Sequence, residues 1–237
     1  MKEAVIVSAC RTAVGGFGGG LAGVSATDLG RIVILEAMAR AGLEKSQVDE
    51  VIMGNVLPAG LGQNPARQAM LKAGLDYSTG AITVNKVCGS GLKAVMLAAQ
   101  AIQVGDAEVV VAGGLENMNQ APYYMLKGRG GVRMGHDRLV DGMIWDGLWD
   151  HFNDFHMGMS AELCSQKYNV SRADQDQFAA ASYIKSLASL EAGLFEEEIV
   201  PVPVKVKREE ILFKADEVPV PTPLEALAKL RPAFTKD

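Results

Sequence analysis

The sequence predicts an α/β fold whose first part is a sheet covered by helices. Short β-branched runs bounded by glycine alternate with longer apolar stretches of helical length as far as residue 116. From residue 117 the texture changes. Glycine, methionine, tryptophan and charge mix there without a clean period, and most of the prolines lie from Pro201 onward. Two parts follow: an α/β core over residues 1–116 and a second domain over residues 117–237.

Strands are predicted near residues 4–9, 51–55, 81–84 and 108–112, separated by three helical stretches. Ser25 and Thr27 are cap candidates for the first helix. That helix carries Arg31, Glu36 and Arg40 in an otherwise apolar run and stops at Gly42. Residues 92–104 are apolar except for Lys93, Gln100 and Gln103, which suits a helix buried on most of its surface. In the second part, residues 159–168 read as a helix. Ser171-Arg172-Ala173-Asp174 opens another with a capping-box pattern, running through Phe178, Ala181 and Leu187 to stop near Gly193. Val202 to Val206 reads as a short strand. The run Gly18 to Gly23 satisfies G-x-G-x-x-G, but no helix opens from it and no acidic residue ends the next strand. A flexible loop is the reading, not a nucleotide site.

Composition narrows the function. The 237 residues are 49% hydrophobic and 22% charged, enough for a substantial core. A net charge of -5 argues against a nucleic-acid surface. Three scattered cysteines make no disulfide framework and suggest a reducing compartment, so cytoplasmic residence is expected. Cys10 and Cys164 are expected in the core. No membrane-spanning stretch and no signal peptide are expected.

The segment Asn85-Lys86-Val87-Cys88-Gly89-Ser90-Gly91-Leu92-Lys93 puts a single cysteine between a strand and a helix. Cys88 is expected in the first turn of that helix, where unpaired backbone N–H groups and the helix dipole favour a thiolate, the nucleophilic form. Gly89 and Gly91 let a substrate carbonyl approach the backbone. Position alone leaves a structural cysteine equally open. Of the histidines, His136, His151 and His156, none pairs with cysteine or carboxylate at a metal-ligand spacing, so no metal is expected.

The wording of this segment resembles the nucleophile motif of the thiolase family, in particular its biosynthetic branch. The resemblance covers essentially the whole chain. It includes Val5-Ile6-Val7-Ser8-Ala9 with Arg11-Thr12, Gly54-Asn55-Val56, Asn64-Pro65-Ala66-Arg67-Gln68, Gly113-Gly114-Leu115-Glu116-Asn117-Met118, His156-Met157-Gly158 and Leu230-Arg231-Pro232-Ala233-Phe234. It implies the first half of a thiolase-type fold, a mixed sheet covered by helices. Residues 117–237 would then be an α+β loop-domain insertion that covers the active site and binds coenzyme A.

The resemblance also implies an acetyl-CoA C-acetyltransferase. Such an enzyme condenses two acetyl-CoA to acetoacetyl-CoA and CoA, or runs the reverse thiolysis, through an acyl-cysteine. Cys88 would be the nucleophile, His156 would face the pantetheine arm, Met157 would line the acyl pocket and Leu148 would contact the pantetheine. Coenzyme A thioesters are substrates and no cofactor is implied; a homo-oligomer is. The family completes this chemistry with a Gly-His-Pro histidine, a Cys-x-Gly-Gly-Gly cysteine and an Asn-Glu-Ala-Phe asparagine. None of these motifs occurs in the 237 residues, which are therefore expected to be inactive alone. A second polypeptide supplying them, or a non-catalytic coenzyme A-binding scaffold, are the alternatives. Val220 stands where many relatives carry arginine near the adenine, and valine can make neither that hydrogen bond nor a cation–π contact.

Overall fold

The computed structural model describes residues 2–235. In chain order the first elements are β1 (Arg11–Thr12), α1 (Ala26–Arg40), β2 (Glu50–Gly54), α2 (Pro65–Lys72), β3 (Gly80–Val84), α3 (Ser90–Val104) and β4 (Val110–Gly114). Then come β5 (Tyr123–Tyr124), β6 (Val140–Asp141), α4 (Gly142–Gly147), β7 (Trp149–Asp150), β8 (Phe155–His156), α5 (Met157–Tyr168) and α6 (Arg172–Glu191). The last are β9 (Ile199–Val200), β10 (Val202–Val206), β11 (Glu209–Phe213) and α7 (Leu224–Leu227).

The chain divides into two compact units. One runs through Gly147 and takes in Glu198–Ala215; the other comprises Leu148–Glu197 and the stretch from Asp216. Residue 116, where the texture of the sequence changes, falls inside the first of these units, which is held together beyond it by two further contacts. The β5–β6 pair packs on α4. Val202 and Val204 of the β10–β11 hairpin are buried against Leu21 and Leu29.

At the centre of the first unit is a parallel sheet in the order β3-β2-β4, with Val51 opposite both Ala81 and Val111. A central parallel strand must be apolar on both faces. β2 meets that requirement with Val51, Ile52 and Met53, each at most 2% exposed. Because successive side chains alternate, Val51 and Met53 join one core with Ile34 and Met38 of α1 and Ala69 and Met70 of α2. Ile52 points the other way, onto Ala94 and Ala98 of α3.

The helix ends follow the sequence closely. Ser25 caps α1 by accepting from Asp28 N at 3.1 Å, and Lys72 Nζ reaches Asp28 Oδ1 at 2.9 Å. Asn64 caps α2, with Pro65 in its first turn. In the second unit, Ser171 and Asp174 form the expected reciprocal capping box of α6. Arg172 at its first residue donates from Nη2 to Leu227 O at 2.7 Å and Leu230 O at 3.1 Å, tying α7 down.

Four expectations fail. Residues 4–9 form no strand ladder, and Val5, Ile6 and Val7 are exposed. Among the described residues no strand lies beside them; side-chain contacts hold the segment instead, with Ser8 Oγ donating to Ala37 O and Cys10 Sγ to Val33 O. Cys164 is exposed on α5, so it is not a core residue, whereas Cys10 is half-buried and desolvation raises the pKa of its thiol. One 18-residue stretch, Val87–Val104, is by length and composition apolar enough to cross a membrane, where none was expected. In α3 only Ser90, Ala94 and Ala98 are buried, the two alanines against Ile52, while Leu92, Met96 and Val104 are exposed, so the helix is not covered on most of its surface as the sequence suggested.

A methyl group at Gly54 would come within 2.6 Å of both Gly91 N and Ser90 C, backbone atoms that cannot swing aside. We predict that Gly54→Ala, which must push α3 off β2, costs about 1–3 kcal/mol. A chemical denaturation midpoint unchanged from wild type would contradict this close approach.

Candidate active site

All three strands of the parallel sheet end on the same side, and in open parallel sheets ligands bind beyond the carboxyl ends of the strands. β3 ends at Val84, and the chain must reverse into α3 within residues 85–89. Asn85 Oδ1 accepts from Val87 N at 2.9 Å. Val87 takes φ +48°. Gly89 is the N-cap of α3 at φ -89°, and its N–H donates to Lys86 O at 3.1 Å. Ser90, 4% exposed, closes the turn from below: its Oγ accepts from Lys86 N at 2.8 Å and donates to Val87 O at 2.6 Å.

Cys88 sits on top of this turn and is exposed. It lies one residue before the cap, not within the first helical turn as the sequence suggested. The turn that carries it is exposed over residues 85–89 and tied from beneath by the buried Ser90 hydroxyl, so Cys88 does not pack in a core within the described residues.

Behind the turn lies a polar network. Asn55 N donates to Val84 O at 3.0 Å, and Asn85 Nδ2 reaches Val56 O at 3.4 Å. Glu116 accepts from Val56 N at 2.7 Å through Oε2, and from Asn55 Nδ2 at 2.6 Å and Leu57 N at 3.1 Å through Oε1. Burial nonetheless holds the Glu116 carboxyl above its ordinary range, outweighing these three bonds. Asn55 Oδ1 is buried without a partner among the described residues. Asn117 Nδ2 donates to Leu21 O, Ala22 O and Val24 O, and Asn119 Oδ1 accepts from Gly18 N, so the glycine-rich loop is fastened to the residues after β4. Nothing in that loop opens a helix as a dinucleotide site would require.

The second unit brings Leu148, His156 and Met157 together. β7 and β8 pair antiparallel with Trp149 opposite His156, and Met157 N donates to Leu148 O at 2.8 Å. His156 caps α5: its Nδ1 accepts from Gly158 N at 3.0 Å, which leaves Nε2 as the protonated nitrogen of the neutral ring. Phe234 stacks on the imidazole with ring centroids 5.0 Å apart, seated over Gly158 where any side chain would overlap it. The sequence singled out the segment containing Phe234 but gave it no role. The signal was the pairing of a bare glycine, Gly158, with a distant aromatic. Met157 is exposed, Leu148 half-buried and Val220 exposed. Among the described residues no group of three or more His, Cys, Asp or Glu side chains is placed to hold a metal ion.

Residues 4–237 match the family described as Thiolase, N-terminal domain. An acetyl-CoA acetyltransferase of Pseudomonas aeruginosa is 58% identical over all of this chain and 61% of its own length. One of Cupriavidus necator is 55% identical with the same coverage. The crystal structure of the Bacillus anthracis acetyl-CoA acetyltransferase superposes with a TM-score of 0.96 at 39% identity, over all of this chain and 60% of that one. The chain thus spans about three-fifths of the length of the curated relatives it matches.

The raised pKa of Glu116 makes a pH prediction. The folded protein keeps this proton to higher pH than the unfolded chain does. The stability linked to it is complete below the unfolded value, about 4.3, and is lost as pH rises through the folded value. Relative to Glu116→Gln, which does not titrate, wild type should therefore lose stability as pH rises from about 4 toward 7. Melting temperatures measured across that range check it; a difference between the two proteins that grows in favour of wild type would contradict a raised carboxyl.

Proposed function

The chain belongs to the thiolase family, and on that footing we propose that it carries the nucleophile and part of the substrate surface of an acetyl-CoA C-acetyltransferase. The observation that supports this most is the exposed Cys88 on a hydrogen-bonded turn at the carboxyl end of a parallel sheet.

The Cys88 thiolate attacks the acetyl-CoA carbonyl. A bond forms between Sγ and the acetyl carbon, the bond from that carbon to the CoA sulfur breaks, and the departing CoA thiolate takes up the proton Cys88 gave away. Negative charge builds on the carbonyl oxygen during the attack, and the Cys88 backbone N–H is proposed as one donor to it. A base then removes an α-proton from a second acetyl-CoA, and the resulting carbanion attacks the Cys88 thioester. Acetoacetyl-CoA leaves and the thiolate is regenerated. The reverse sequence is thiolysis. We assign the bases and the remaining oxyanion donors to the further length that the relatives possess.

In this reading Nε2–H of His156 donates to the pantetheine arm, held in place by the Gly158 bond on Nδ1 and by Phe234. Leu148 contacts the same arm and Met157 lines the acyl pocket. The substrates are acetyl-CoA, acetoacetyl-CoA and CoA, with no cofactor, in a cytoplasmic homo-oligomer.

The test of the nucleophile is covalent labelling of the full-length protein. Labelled acetyl-CoA should leave acetyl on Cys88 and none on Cys88→Ser, while Cys10→Ser and Cys164→Ser keep it. Labelling spread evenly over the three cysteines, or absent altogether, would sink the proposal and leave a non-catalytic role. His156→Ala should raise the KM for acyl-CoA more than it lowers kcat, because the lost contact binds substrate and transition state alike. Steady-state kinetics with kcat collapsed and KM unchanged would make His156 a base instead.

A further inference from the structure

Val87, the residue immediately before Cys88, sits at φ +48°, a left-handed conformation that a β-branched side chain avoids. The other non-glycine residues with positive φ among those described are Asn64, Asp154, Asn169 and Lys207, none of them β-branched. Such a conformation persists only where its surroundings over-determine it, and such strain gathers at functional sites. Here both backbone polar groups of Val87 are taken. Its N–H is held by Asn85 Oδ1 at 2.9 Å, and its C=O by Ser90 Oγ at 2.6 Å and Ser90 N at 3.0 Å. The same Ser90 hydroxyl accepts from Lys86 N, so one buried oxygen spans the turn from the peptide before Lys86 to the peptide after Val87, while Asn85 Oδ1 and Gly89 N hold the peptide between Lys86 and Val87. Ser90 itself is buried and cannot move toward β2, because its backbone lies against Gly54 with no space for a methyl group between them.

We infer that Ser90, assisted by Asn85, is a positioning residue that fixes the direction of the Cys88 thiol by pinning Val87 in the left-handed region. The inference rests on the reading of Cys88 as nucleophile. If the grip is lost, Val87 relaxes toward negative φ, and everything after it in the turn rotates, the Cys88 side chain first. Attack on a thioester depends steeply on the placement of the reacting atoms, so a small rotation is costly in rate while substrate affinity is untouched.

The test follows single-turnover acetylation of Cys88 by acetyl-CoA in the full-length protein, alongside KM and melting temperature. Ser90→Ala should slow acetylation by about tenfold or more, with KM for acetyl-CoA changed by no more than about twofold. Adding Val87→Gly to Ser90→Ala should recover most of the lost rate, because glycine takes positive φ without steric cost. A hydroxyl that merely fills the interior would lower the melting temperature and would not be rescued by glycine at residue 87. Asn85→Ala, at an exposed position, should shift the rate in the same direction and be rescued in the same way. It carries the comparison if Ser90→Ala does not fold. Acetylation of both single variants at the wild-type rate, or no recovery from Val87→Gly, would overturn the inference while leaving the nucleophile in place. An absence of acetyl on Cys88 in the wild-type protein would overturn both.

Discussion

Where α3 begins, its backbone lies against the carboxyl end of β2 at a distance that excludes even a methyl group on Gly54. That contact decides how the rest of the first unit is arranged. It brings the start of α3 to the end of the sheet, so that the turn between β3 and α3 has only five residues to reverse direction. It also buries Ser90, which then has the fixed backbone it needs to hold the turn with its side chain. A looser crossing would let the turn relax and would leave Cys88 with no defined direction.

β2 makes that crossing possible by being buried on both faces. Val51 and Met53 are fixed by α1 and α2, Ile52 by α3, and the strand has no freedom to slide or tilt. The polar network behind the turn rests on the same strand end. Asn55 follows Gly54 directly and ties β2 to β3 through Val84 O, while its amide reaches Glu116 beyond β4. The Glu116 carboxyl enclosed there accepts from three donors, yet its burial outweighs them and keeps it protonated to higher pH than an exposed glutamate.

Much of this was legible in the sequence, and the exceptions have physical causes. The sheet strands at residues 51–55, 81–84 and 108–112 and the caps Ser25 and Ser171 were readable because apolar runs and capping residues are local signals. The expected strand at residues 4–9 was not realised: β-branched composition measures suitability for a ladder, and no partner strand lies beside it among the described residues. Cys164 looked internal because α5 carries apolar residues without presenting them to a core in its unit. At the site, Cys88 and the cluster of Leu148, His156 and Met157 were named from motifs. Ser90, Asn85 and Phe234 stood in the same motifs without a role, since their roles come from a left-handed valine, a buried hydroxyl and a ring stacked across more than seventy residues of chain.

The central claim is that a rigid, strained turn presents Cys88 to an acyl thioester. A crystal structure of the full-length protein flash-cooled after brief exposure to acetyl-CoA tests it most directly. The account predicts acetyl density continuous with Cys88 Sγ, its carbonyl oxygen within hydrogen-bonding distance of the Cys88 N–H, and Val87 still at positive φ with Ser90 Oγ on its carbonyl. Acetyl on another side chain, or an acetylated Cys88 on a turn that has relaxed to negative φ, would contradict it.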